Sequence, residues 1–235
     1  MSLVSKKTPK RIALDGTPAS GKSTVGAMLA DRWNCDFLDT GMMYRAVTYL
    51  ALQNSFRLDD NHALGNLASD TQFSIRQDGN GSWRLLTNGV DVTDELHKSE
   101  INRYVSPVSA VPEVRRSLVN QQREIAAEGP IVMAGQDIGT VVLKDAPMKI
   151  YLDASAETRA ARRTRDAHGN VDGQRFDEVL RSLSRRGEID SNRADSPLRP
   201  ADDAFIIQTD ALTLEEVVER IIELAPDDVK EHAPK

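Results

Sequence analysis

The stretch GTPASGKST (16–24) stands between the apolar run RIALD (11–15) and VGAMLADRW (25–33), which has helical spacing. A strand that enters a glycine-rich turn and leaves as a helix is a place to hold phosphate. Gly16, Gly21, Lys22 and Ser23 fit the spacing G-x-x-x-x-G-K-[ST]. Each residue type has a physical reason. Glycines let backbone N–H groups crowd an anion with no Cβ in the way, and the helix aims its positive end at the same point. Lys22 brings a point charge to the β- and γ-phosphates, and the Ser23 hydroxyl is a ligand for Mg²⁺. Gly16, Thr17, Pro18, Ala19, Ser20, Gly21, Lys22, Ser23 and Thr24 are therefore expected to bind ATP or GTP with its Mg²⁺.

Four further β-favouring runs follow: CDFLD (35–39), IVMAG (131–135), MKIYLD (148–153) and AFIIQT (204–209). Helical spacing is found over about 22–33, 42–54, 112–128, 156–166, 176–190 and 213–225. Strands alternating with helices imply an α/β fold, a parallel sheet of about five strands covered on both faces. One interval breaks the rhythm. TQFSIRQDGNGSWRLLTNGVDVT (71–93) reads as strand, Asp-Gly-Asn-Gly turn, strand and Asn-Gly turn, a small antiparallel insertion. The prediction is one domain: a core of 11–58, 129–165 and 176–225, an inserted substrate lobe over about 59–111, and a mobile lid over about 165–175.

Acidic residues outnumber basic ones by 36 to 30, a net charge of −6, so a nucleic-acid polymer is not an expected partner. Any phosphate specialist of this charge must gather its cations locally. No apolar run approaches the roughly 20 residues of a membrane span, and MSLVSKKTPK lacks the apolar region of a signal peptide. The single cysteine, Cys35, excludes an intramolecular disulfide and is expected to be plainly buried in a strand. His62, His97, His168 and His232 lack metal-ligand spacing, so no zinc site is expected. These features lead to the expectation of a cytoplasmic protein, and a monomer is expected.

Behind the phosphate loop come FLDTGMMYRAV (37–47), SPVSAVPEVRRSLVNQQR (106–123), AGQDIGTVVLKDAPMKIYLDAS (134–155), RAARR (159–163) and IDSNRADSPLRPADDA (189–204). Together they resemble the bacterial cytidylate kinases, a family of nucleoside monophosphate kinases, over about residues 11–225. The resemblance implies ATP as donor and CMP or dCMP as acceptor. It also implies roles: Tyr44 in the substrate site, Arg45, Gln136 and Arg193 at the acceptor phosphate, with Arg193 also catalytic, and Ser106, Arg115 and Asp137 at the base. Arg186 and Asp190, four apart, are assigned to the sugar hydroxyls, and Arg162 and Arg163 to ATP, with Lys22 and Arg162 taking part in transfer. The chemistry is coherent, since a carboxylate and a hydroxyl accept from the cytosine amine while an arginine donates to N3 and O2.

One position departs from the family. Where its pattern reads Gly-Arg-Asp-x-Gly-Thr, this chain has Gly135-Gln136-Asp137-Ile138-Gly139-Thr140. A neutral side chain thus replaces a cation at the acceptor phosphate, which weakens phosphate affinity and transition-state stabilisation unless a nearby arginine, Arg103 or Arg116 by sequence proximity, supplies the charge. Two alternatives stay open on the residues alone: a kinase for another small acceptor such as UMP or a non-nucleotide, and a nucleotide sensor without catalysis.

Overall fold

All five β-favouring runs become strands of one sheet in the computed structural model, which describes residues 11–168, 173–191 and 196–226. In chain order the elements begin β1 (Arg11–Gly16), α1 (Lys22–Trp33), β2 (Asp36–Asp39), α2 (Thr40–Gln53) and α3 (Asn61–Asp70). The insertion follows as β3 (Phe73–Gln77), β4 (Trp83–Thr87), β5 (Val90–Asp91), a 3₁₀ turn (Thr93–His97) and α4 (Ser99–Ser109). Then come α5 (Pro112–Glu128), β6 (Ile131–Ala134), a π turn (Ile138–Val142), β7 (Met148–Asp153), α6 (Ala156–His168), α7 (Gly173–Ser191), β8 (Phe205–Gln208) and α8 (Leu214–Leu224). Among the described residues, no helix is long and apolar enough to cross a membrane.

The main sheet has the order β2-β6-β1-β7-β8, and every pairing in it is parallel. Its strands are near-continuous apolar runs because both faces are covered. Alternate residues of β1 divide between the two sides. Ile12 and Leu14 pack with Val25 and Leu29 of α1 and Val217 and Ile221 of α8, while Ala13 packs with Met43 of α2 and Leu118 of α5. Because β1 lies between β6 and β7, the chain reverses its direction of winding there. Ligands gather outside the carboxyl ends of strands at such a point.

The insertion pairs β3 with β4 and β4 with β5, all antiparallel. Asn88 and Gly89 join the last two with φ of 49° and 79°, the pair of left-handed residues that a tight hairpin turn requires. Phe73, Leu85, Leu96 and Val105 belong to the same apolar cluster as Met43 and Leu118, so the lobe is built onto the core of the sheet.

Several elements differ from the sequence-based expectation. Helices α3 and α4 were not foreseen. The first is short and contains Gly65; the second carries Pro107 within it. The lid expected over 165–175 is helical at both ends, since α6 continues to His168 and α7 begins at Gly173; residues 169–172 lie outside the described residues. Cys35 is only half-buried and sits one residue before β2.

Helix α8 packs beside α1, with the Leu214 side chain near Gly21, and its start is chemically locked. Thr213 Oγ1 accepts from the Glu216 N–H at 3.2 Å, and Glu216 Oε2 accepts from the Thr213 N–H at 2.8 Å, a reciprocal capping box. Thr213→Ala is expected to cost about 1 kcal/mol, which for a chain of this size lowers the thermal midpoint by roughly 2–4 °C. Calorimetry of the variant checks this.

Candidate active site

Gly16 ends β1 where the chain is squeezed against β7. A Cβ there would lie 2.1 Å from the Leu152 carbonyl oxygen, and φ is +153°, so no other residue fits. The loop that follows turns its carbonyls toward side chains. Lys22 Nζ donates to Thr17 O at 2.7 Å. From α6, Arg159 donates to Pro18 O at 3.3 Å, and Arg162 donates to Ser20 O at 3.3 Å. Arg162 also grips Thr209 just beyond β8, donating to its hydroxyl at 2.9 Å and its carbonyl at 2.6 Å. The Thr17 and Ser20 hydroxyls are buried and meet no hydrogen-bond partner among the described residues. Buried hydroxyls are normally satisfied, so a polar ligand is the fitting partner for these two.

Ser23, at the start of α1, donates to Asp39 Oδ2, and the other oxygen of that carboxylate caps α2 by accepting from the Gly41 N–H at 2.9 Å. A hydroxyl and a carboxylate thus meet where β2 ends beside the phosphate loop. Both are hard oxygen donors, of the kind that Mg²⁺ takes.

Arg45 leaves α2 toward the inserted lobe. Its NH1 donates to Leu96 O at 3.1 Å and to Asn102 Oδ1 at 2.7 Å, and Asn102 donates in turn to His97 O at 3.3 Å. Arg115 and Asp137 form a buried ion pair, exposed only 3% and 5%. Arg115 also donates to Ser109 O at 3.3 Å, and its guanidinium carbon lies 5.5 Å from the Tyr44 ring centroid. Ser106 is one turn before Ser109 on α4, and its carbonyl accepts from the Ser109 hydroxyl at 2.9 Å. Gln136 is half-buried beside Asp137. The structure therefore brings Tyr44, Arg115 and Asp137 into contact, with Ser106 at the edge of the group and Arg45 held by the lobe.

Arg103 and Arg116 do not supply a charge there. Arg116 pairs with Glu113 at 3.4 Å on an exposed face, and Arg103 lies 5.3 Å from the Tyr104 ring centroid. Arg186 and Asp190 lie on α7, with side chains outside the described residues, and Arg193 is outside them altogether.

Two titrating groups report on the field of the cleft. Burial, and then the Arg45 guanidinium, hold His97 below the usual histidine range; Arg163 pushes the same way, while Asp39 and Asp94 oppose. His97 in the lobe thus feels Arg163 of α6 and Arg45 of α2 together, so cations from two elements face this part of the cleft. Burial pushes Asp15 up to about 6, against the pull of two backbone N–H groups and Lys22.

Asp15, Asp39, His97, Asn102 and Arg159 were not foreseen. For Asp39 a signal existed, because an aspartate ahead of Thr-Gly and an apolar helix is a helix-start pattern. For Asp15 the signal was a carboxylate closing an otherwise apolar strand.

A phosphate loop at the switch point of a parallel sheet, facing a cation-lined lobe, defines a P-loop phosphotransferase. The family model described as cytidylate kinase matches residues 12–227. Cytidylate kinase of Carboxydothermus hydrogenoformans is 43% identical over 214 residues, covering 91% of this chain and 96% of that protein. Cytidylate kinase of Corynebacterium efficiens is 45% identical over 214 residues, covering 91% and 93%. Among solved structures, shikimate kinase from Bacteroides thetaiotaomicron aligns over 91% of this chain and 96% of its own, with 16% identity and a TM-score of 0.43. The chain belongs to the cytidylate kinase family.

Proposed function

We propose that this chain transfers the γ-phosphate of ATP to CMP or dCMP, giving CDP or dCDP and ADP, as a monomer in the cytoplasm. Gly16 to Thr24 hold the triphosphate, with Lys22 at its β- and γ-groups and Arg162 and Arg163 approaching from α6. Arg45, Gln136 and Arg193 receive the acceptor phosphate, with Tyr44 beside them, and Arg186 and Asp190 receive the sugar. Ser23 and Asp39 would hold Mg²⁺, which screens the negative charge between donor phosphates when bound.

The buried Arg115–Asp137 pair carries the reading. Asp137 Oδ2 is engaged by Arg115, which leaves Oδ1 to accept from the exocyclic amine of cytosine. Arg115 donates to N3 and O2, and the Ser106 hydroxyl closes the set. Uracil presents O4 to the same carboxylate, and acceptor facing acceptor is a large penalty in a buried site. An ionised acceptor phosphate needs no general base. Its oxygen attacks the γ-phosphorus in line, the bond to the β–γ bridging oxygen breaks, and ADP leaves. Positioning and charge neutralisation supply the catalysis.

A coupled assay of ADP release at fixed ATP, run over CMP, dCMP, UMP and AMP, tests this. Fast turnover of the two cytidine nucleotides and slow turnover of UMP is the expected result. Equal rates with CMP and UMP would remove Asp137 from the base pocket, and ADP release that ignores the acceptor would remove the transferase reading.

Gln136→Arg is expected to raise kcat/KM for CMP about fivefold, with the ATP KM little changed, because a charged hydrogen bond exceeds a neutral one by about 1 kcal/mol. Steady-state kinetics decides it. A fall in activity with the fold retained would mean that Arg45 and Arg163 already neutralise the phosphate.

A further inference from the structure

Asp15 is the most buried carboxylate at the carboxyl edge of the sheet, 3% exposed, and both of its oxygens accept from backbone N–H groups. Its two oxygens are used on one object. Oδ1 accepts from the Ile138 N–H and Oδ2 from the Gly139 N–H, both at 2.7 Å. These are the first two residues of the π turn, immediately after Asp137. Asp15 itself immediately precedes Gly16, the first residue of the phosphate loop. A single side chain therefore joins the strand end that launches the donor site to the turn that carries the base-reading carboxylate. A salt bridge would have tolerated sliding; two short N–H···O bonds to successive residues fix both distance and rotation.

We propose that Asp15 is a positioning residue that sets the spacing between the phosphate loop and the acceptor-base carboxylate, Asp137, so that the two substrates are held in line. The proposal rests on the acceptor role of Asp137 given above. The groups facing Asp15 come from every neighbouring element. Lys22 of α1 attracts its charge and Asp137 repels it, while Arg115 draws the Asp137 carboxylate the other way. From β7, Tyr151 is pushed up to about 12 by burial and by the Asp153 and Asp15 charges, so it stays neutral. The stem of Lys149 lies against Gly139, but its ammonium is bonded to Asp203 at 2.8 Å. The neighbouring residues of β6, Met133 and Ala134, are apolar. The anion is thus held chiefly by the two N–H groups. Protonation puts an O–H against one of them and releases that end of the turn.

Above about pH 6 the carboxylate is charged and the turn is clamped; below it the proton binds and the clamp opens. Ionisation disfavoured by burial makes this group cost stability above pH 6 and none below its unfolded range, so the effect is one of positioning gained at the expense of stability.

The test is Asp15→Asn, measured two ways. An asparagine keeps one acceptor oxygen and turns an N–H₂ toward the other amide. The expected result is a KM for CMP raised on the order of tenfold to a hundredfold, a lowered kcat, and a KM for ATP within about twofold, with thermal stability equal or higher. Parental KM and kcat in the folded variant would overturn the proposal. The second measurement uses the unaltered protein without nucleotide, where the titration of a substrate phosphate cannot intrude. The Ile138 and Gly139 amide resonances should move together with a midpoint near pH 6. Amides that stay fixed between about pH 5 and pH 7.5 would overturn it, whether or not the variant folds. If those amides titrate while CMP is not phosphorylated at all, the clamp stands and the acceptor assignment falls.

Discussion

Lys22→Ala is expected to lower kcat for phosphoryl transfer by roughly a hundredfold to a thousandfold, the usual cost of removing one preorganised cation or donor from a developing anion. The lysine is half-buried at the first turn of α1, where its ammonium donates to Thr17 O at 2.7 Å. Stability should consequently stay within about 0.5 kcal/mol of the parent, the range of surface substitutions. Steady-state rates with CMP and a thermal scan on one preparation separate the two effects. A folded variant turning over at the parental rate would show that the loop at 16–24 does not hold the transferred phosphate.

Asp137→Asn is expected to act on both stability and selectivity. The substitution leaves the Arg115 guanidinium buried beside a neutral amide. Breaking a buried pair from one side costs about 3–5 kcal/mol, and the retained hydrogen bond argues for the lower end, about 3. At roughly 2–4 °C per kcal/mol for this size, the thermal midpoint should fall by about 6–12 °C. The second effect is on base choice. Asparagine can turn a donor toward O4 of uracil, so the kcat/KM ratio of CMP to UMP should narrow from both sides, by on the order of a hundredfold. Adding CMP during the thermal scan links the two, because binding should protect the parent more than the variant. An unchanged CMP-to-UMP ratio, whatever the stability, would place Asp137 outside the base pocket.

What could be foreseen from the chain alone followed from period and punctuation. β1, β6 and β7 are short apolar runs bounded by turn residues, and α5 and α8 carry wide apolar stripes, so each was visible within a few residues. Helix α3 was hidden because NHALGNLASD carries few apolar residues, and its stability comes from packing on α5 rather than from propensity. Pro107 masked α4 for the opposite reason: it reads as a helix stop, yet it sits within the last turn, close to where the helix ends. The donor site is contiguous in sequence and therefore declared itself. Asp15 and Asp39 carried only local hints and His97 none, because their partners are brought to them by the fold: Ile138 and Gly139 to Asp15, Ser23 to Asp39, Arg45 and Arg163 to His97. The Asp15 contacts span 123 and 124 residues, and no local pattern encodes a contact of that reach.

The strand order has a consequence for how the protein comes into being. Residue 11 of β1 pairs with residue 131, and residue 12 with residue 148, so both neighbours of the first strand are among the later parts of the chain to be made. At ribosomal speeds of roughly 5–20 residues per second, the phosphate loop leaves the ribosome on the order of ten seconds before either flanking strand exists. Until then Gly16 has no Leu152 to lie against and Asp15 has no turn to hold. The segment with the most recognisable signature is therefore made more than a hundred residues before the strands that flank it. Nucleotide can stabilise only a chain whose middle has already emerged, and a prematurely terminated product carries the whole motif without the means to bind.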